Sequence, residues 1–164
     1  MKKDIWIALL GMAAINIIMR VQGSSLVTEL SPRGIIDLEF ADTADRLSEV
    51  VAGLDLSVVR LNIWLDFGFI FFYTWFLSLA SRRTALRWGP RNEFRRTGFF
   101  LAKAAFVAGI FDMAENILML KSISGHYTAF SLQATFYCAW IKFMILLFIL
   151  LFLLISLPRI IRKS

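Results

Sequence analysis

The stretch AGIFDMAENILML, residues 108–120, carries Asp112, Glu115 and Asn116 within little more than one helical turn of an apolar run. Side chains three and four apart lie on one helix face, so these three point the same way. Asn62 and Asp66, in LNIWLDFGF, form a second such pair, and Tyr73 continues the Asp66 face. Asn16 and Lys142 interrupt two further apolar runs. Two carboxyls in unequal surroundings can act as general acid and general base. Carboxylates with amides also suit a hard cation such as magnesium or calcium. Asp112, Glu115 and Asp66 are therefore the acid–base candidates, and Asn16, Asn62, Asn116, Lys142 and Tyr73 the binding candidates. The residue types leave both metal and cofactor unassigned.

These residues need elements to position them. The chain has 164 residues, 59% of them hydrophobic, with 16 Phe and 5 Trp. Soluble domains are much less apolar. Apolar stretches at about 5–21, 58–80, 98–120 and 129–157 match or approach the roughly 20 residues that cross a hydrocarbon core. The expected fold is all-α: one polytopic membrane domain over residues 1–164, a four-transmembrane-helix bundle. The first run follows Met1-Lys2-Lys3, and Val21-Gln22-Gly23 before Ser24 would pass as a signal-peptide cleavage site. Asn16 inside the run and Arg20 at its end favour a retained span.

Charge sets the orientation. Lys2 and Lys3 precede the first run; Arg82, Arg83, Arg87, Arg91, Arg95 and Arg96 lie between the second and third; Arg159, Arg162 and Lys163 follow the fourth. The segment 22–57 instead carries Glu29, Asp37, Glu39, Asp42, Asp45, Glu49 and Asp55 against Arg33 and Arg46. Cationic loops stay on the cytoplasmic side. Both termini and the arginine-rich loop 81–97 are therefore expected in the cytoplasm, with a bacterial cytoplasmic membrane as the setting. The net charge of +6 is read as this topology signal and as contact with anionic lipid heads, not as a nucleic-acid surface. A single cysteine, Cys138, excludes an internal disulfide, and a single histidine, His126, excludes a multi-histidine metal site.

Within 22–57, Ile36, Leu38 and Phe40 alternate with Asp37 and Glu39, which predicts an extended piece with one wet face. Asp42 offers an N-cap and Asp45 a capping box, Ala44, Leu47, Val51 and Leu54 recur at helical spacing, and Gly53 stops the run. A short amphipathic helix between spans one and two is expected. The segment reads as a surface connector; the alternative is a lid bringing Asp37 or Glu39 over a site.

A charge at mid-membrane costs about 2.5–3.5 kcal/mol on insertion scales. Four charged side chains facing lipid would cost on the order of 10 kcal/mol, comparable with a whole domain's stability. Asp66, Asp112, Glu115 and Lys142 are thus expected to face one another in the half of the membrane next to 22–57. A helix-packing network of hydrogen bonds is the plainer reading of the same residues.

This layout is similar to that of EXPERA-type sterol isomerases and sterol-binding proteins. Those also have a cytoplasmic N-terminus, a long segment after the first span and acids in a membrane pocket. The resemblance implies that Asp66 of LNIWLDFGF and the acids of FDMAEN are the counterparts; it is one of architecture and carries over no catalytic assignment.

Three functions follow as expectations. The first is binding or modification of a lipid, isoprenoid or sterol-like molecule at the polar cluster. The second is a structural or assembly role in a membrane complex or homo-oligomer. The third, proton or cation passage, lacks a polar path through the opposite half of the spans. Membrane lipids are the expected partners in each.

Overall fold

The computed structural model describes residues 2–161. Met1, Arg162, Lys163 and Ser164 lie outside the described residues, so part of the expected cationic C-terminal end does too. The chain is all-helical and is an integral membrane protein with four helices long and apolar enough to cross a membrane. In chain order they are α1 (Lys2–Gln22), α4 (Leu56–Leu86), α5 (Glu93–Ser122) and α6 (Ala129–Ile161). Two short helices, α2 (Ile35–Glu39) and α3 (Ala44–Ala52), lie between α1 and α4. The end of the bundle that carries them is called the cap end below, and the opposite end the arginine end.

Local chemistry sets the starts of the long helices. The Asp55 carboxylate accepts from the Ser57 N–H at 2.8 Å and opens α4. Asn92 does the same for α5 through the Phe94 N–H at 2.8 Å. Thr128 and Ser131 cap α6 reciprocally, each hydroxyl accepting from the other's N–H, at 3.1 and 2.8 Å. Such caps satisfy the backbone donors that a first turn leaves orphaned. Most of the expected loop 81–97 is helical: α4 persists to Leu86 and α5 begins at Glu93. Gly89-Pro90 confines the break, and Trp88 stacks on Phe94 across it at 4.6 Å. Arg82, Arg83, Arg95 and Arg96 therefore ride on helix ends.

Helix α5 is the centre of the bundle, packed between α4 and α6, while α1 packs on the far side of α4. The reason is in its sequence. Gly98, Ala102, Ala105, Gly109, Asp112, Asn116 and Met119 recur in alternating steps of four and three, and all are buried. Small residues on one face let helices approach closely where lipid supplies no hydrophobic drive. A Cβ at Gly109 would sit 2.5 Å from Thr74 Cγ2, and one at Gly98 would sit 2.6 Å from the Phe152 ring. Gly11 on α1 is pressed likewise against the Phe72 ring.

Two apolar layers result. Near the arginine end, Ile70, Tyr73, Leu77, Leu101, Ile149 and Phe152 pack together. At the cap end, Leu26, Leu38, Leu47 and Val50 from the segment after α1 close over Val59, Ile63, Met119 and Leu132. The segment 22–57 therefore has a core of its own with the bundle ends and caps the bundle, which goes beyond a surface connector.

Two local expectations are corrected. Residues 36–40 are not extended: Gly34, at φ +64°, turns the chain into α2. The Asp37 carboxylate then accepts from the Arg33 N–H at 2.7 Å and from its Nε at 3.0 Å, which holds the turn. Asp37 and Glu39 are consequently buried, at 2% and 8% exposure, where a wet strand face was expected. The cap of α3 is Thr43, whose hydroxyl accepts from the Arg46 N–H at 3.2 Å, and not Asp42. Gly53 does close α3.

Gly109→Ala should destabilise the bundle by about 1–3 kcal/mol, because the added carbon has no room against α4. Gly89→Ala, in open space, should be neutral. Thermal unfolding in detergent checks this; equal midpoints for the two variants would refute the close packing.

Candidate functional site

Between the two apolar layers lies the polar cluster. Helix α5 supplies Asp112, Glu115 and Asn116 from its buried face. Glu115 is on the seven-residue stripe of Leu101, Ala108 and Ser122, turned toward α6, with no exposed surface. Lys142 comes from α6 and is itself buried. Its Nζ donates to Asp112 Oδ1 at 2.7 Å and to Glu115 Oε1 at 2.9 Å. Lys142 starts about 20 Å along α6 from its cap end, and Asp112 about 15 Å along α5, at 1.5 Å per residue. The flexible lysine stem spans that difference.

Helix α4 adds Tyr73, whose hydroxyl donates to Asp112 Oδ2 at 2.8 Å, and Asp66, whose Oδ2 accepts from Asn116 Nδ2 at 2.7 Å. Tyr73 thus serves Asp112 across the helix interface instead of only extending the Asp66 face. The cap adds Glu39, with Oε2 at 3.5 Å from Lys142 Nζ. Phe40 anchors it: its ring stacks on Phe143 at 6.0 Å and meets Phe136 edge-on at 5.6 Å. Of the two lid candidates, Glu39 therefore reaches the cluster. Asp37 instead pairs with Arg33 at 2.9 Å and Arg46 at 3.7 Å, which fixes the cap itself.

The structure does not bring Asn62 and Asn16 to the carboxylates. Asn62 Nδ2 donates to Met19 O at 3.1 Å and to Gln22 Oε1 at 2.8 Å, fastening α4 to the end of α1. Asn16 and Asn62 line a groove of about 470 Å³ with Arg20 and Arg33 on that side of α4. Sharing a helix face with Asp66 did not decide Asn62's partner, because α1 and α5 flank that face on either side. Phe40 supports the site with no charge or amide to mark it in the sequence, and Gln22 fastens α1 to α4. Phe136, Trp140 and Phe143, one turn apart on α6, were the available signal for an aromatic partner in the cap.

Four carboxyl groups share the cluster with one ammonium, which contacts three of them, Glu39, Asp112 and Glu115. Lys142 occupies the point where the acids converge, and among the described residues no group of three carboxylate, histidine or cysteine side chains has the arrangement of a metal site. Both oxygens of Asp112 are taken, one by Lys142 and one by Tyr73. Glu115 Oε2 and Glu39 Oε2 are buried with no hydrogen-bond partner. Burial raises the Glu39 carboxyl above its ordinary range, against the pull of Lys142, and Glu115 lies close enough to share a hydrogen bond with it. A proton on Glu39 turns two facing acceptors into a donor and an acceptor. The cluster can thus hold a proton within a water-poor layer, beside a carboxylate pair locked by lysine and tyrosine.

In comparison with known proteins, the chain matches no family model, no curated protein and no solved structure.

Glu39 makes stability depend on pH. With its folded value raised, the folded state binds more protons than the unfolded one. Its contribution is complete below the ordinary value of 4.5 and is lost as pH rises through the folded value. The thermal midpoint in detergent should therefore fall on raising pH above that point, and Glu39→Gln should flatten the fall. An unchanged slope in Glu39→Gln would assign the dependence elsewhere.

Proposed function

We propose that this integral membrane protein binds a hydrophobic molecule of the lipid, isoprenoid or sterol-like class and performs acid–base chemistry on it at the Asp66–Asp112–Glu115 cluster. The observation that carries this reading is an apolar groove of about 610 Å³ along the α4–α5 seam. Phe67, Ile70, Gly109 and Met113 line it. Phe67 and Met113 directly follow Asp66 and Asp112 in the chain, so the groove runs one side-chain layer from the carboxylates. An apolar body can enter it sideways from the bilayer; the acids stand behind its wall, so a turn of Phe67 or Met113 brings a polar or alkene centre to them.

The roles divide by hydrogen bonding. Glu115, with one oxygen unpartnered, is the group able to take or give a proton, with Glu39 of the cap as its proton partner. Asp112, held by Lys142 and Tyr73, is the fixed negative charge beside the reacting centre. Asp66, with Asn116 on one oxygen, faces the same layer from α4. The arginine end and both termini lie in the cytoplasm of a bacterial cell in this reading, and the cap faces outward, by the cationic-loop rule.

A second reading has its own support. Lys142, Tyr73 and Asn116 already satisfy most of the acids, as a helix-packing network in a membrane complex or homo-oligomer requires. Ion passage has less support, since Leu77, Leu101, Ile149 and Phe152 fill the layer beyond Tyr73.

Mass spectrometry of lipids that co-purify with the gently solubilised chain separates these readings. A specific lipid on the wild type, absent from folded Asp66→Asn/Glu115→Gln, is the expected result. An identical lipid profile in both would leave the packing network as the role of the cluster.

A further inference from the structure

A second groove continues the first. Toward the cap end of the same α4–α5 seam lies a hollow of about 710 Å³ lined by Trp64, Phe67, Ile117, Lys121, Ser124 and His126. Phe67 lines both hollows, so they adjoin end to end along the seam, and the pair is called the slot here. From Phe106 to Lys121 the slot runs about 22 Å at 1.5 Å per residue.

Its two ends differ in chemistry. Below Phe67 the walls are aromatic and aliphatic: Phe71, Trp75, Phe106 and Ile110. At the mouth, Lys121, Ser124 and His126 supply donors, and no acidic residue lines either hollow. Arg60 on α4 reaches the same place, its Nη2 donating to Ser124 Oγ at 3.5 Å. Lys121 is exposed, and its ammonium has no hydrogen bond or ion pair among the described residues. Glu115 and Asp112 lie behind the wall, already tied to Lys142, and do not neutralise the mouth.

We propose that this slot takes a long-chain anionic lipid, its phosphate or carboxylate head held by Lys121, His126 and Arg60 and its chain lying along α4 and α5. The inference rests on the reading of the cluster as a site for a hydrophobic molecule and adds the class of that molecule. Each cation near a membrane surface contributes about 1 kcal/mol toward an anionic head. The aromatic floor at Trp64 suits the boundary between head and chain. A slot of about 22 Å also passes the midplane of a core about 30 Å thick, which favours a long single chain over a short one.

The test uses the full chain in detergent, titrated with hexadecyl phosphate and with hexadecanol and read by native mass spectrometry. Three proteins are compared: wild type, Lys121→Gln/His126→Gln at the mouth, and Ile110→Trp in the slot. The altered side chains are exposed, so folding should persist. Hexadecyl phosphate should bind wild type about tenfold more tightly than hexadecanol. The mouth variant should lose that preference, and Ile110→Trp should weaken both ligands. Equal binding of both ligands, still blocked by Ile110→Trp, would overturn the anionic head while leaving the hydrophobic-ligand site in place. Binding of both that ignores Ile110→Trp would overturn the slot, and the proposed function with it.

Discussion

The Lys142 ammonium is the constraint on which the structure turns. It meets Asp112 and Glu115 of α5 at hydrogen-bond distance and Glu39 of the cap at 3.5 Å. One side chain on α6 therefore joins three parts of the chain. An unpaired lysine or carboxylate at that depth would be expensive, so each group holds the others in place. The apolar layers on both sides exclude the water that would otherwise screen them. Buried pairs of this kind add little net stability, whereas removing one partner strands the other charge and costs about 3–5 kcal/mol.

The small-residue face of α5 makes that convergence geometrically available. Gly98 and Gly109 bring α6 and α4 close along the same face that ends in Asp112 and Asn116. Close approach and polar contact are thus written on one stripe. Helix α1 takes no part in it and is tied to α4 by Asn62 and Gln22, a looser place for a span whose surface is mostly left to lipid.

Much of this was legible in the sequence for physical reasons. Hydropathy over long windows marks spans because the bilayer demands a length, and α4, α5 and α6 answer it. The common face of Asp112, Glu115 and Asn116 follows from helical spacing alone. The reach of Lys142 follows from its depth and its stem. Other features were hidden. Over the five residues 36–40, periods of 2 and 3.6 cannot be told apart, so α2 read as a strand. What decides it is Gly34 and the Arg33–Asp37 contact, one a backbone angle and the other a local i,i+4 pair that no hydrophobic period reports. Asn62 could have turned to α5 or to α1, and only packing chose. The joining of two hollows at Phe67 leaves no sequence pattern at all.

The cap and the bundle form one unit, closed by Lys142 over the carboxyl cluster. Hydrogen exchange at the α2 amides reports on that closure, since the Phe40 N–H bonds to Ile36 O at 3.2 Å only while α2 is formed. Lys142→Met should lose protection across Leu38–Phe40 while the buried middle of α4 and α5 keeps it. Unchanged protection in α2 would mean that the cap docks without the lysine, and the account of the site as a closed cluster would be wrong.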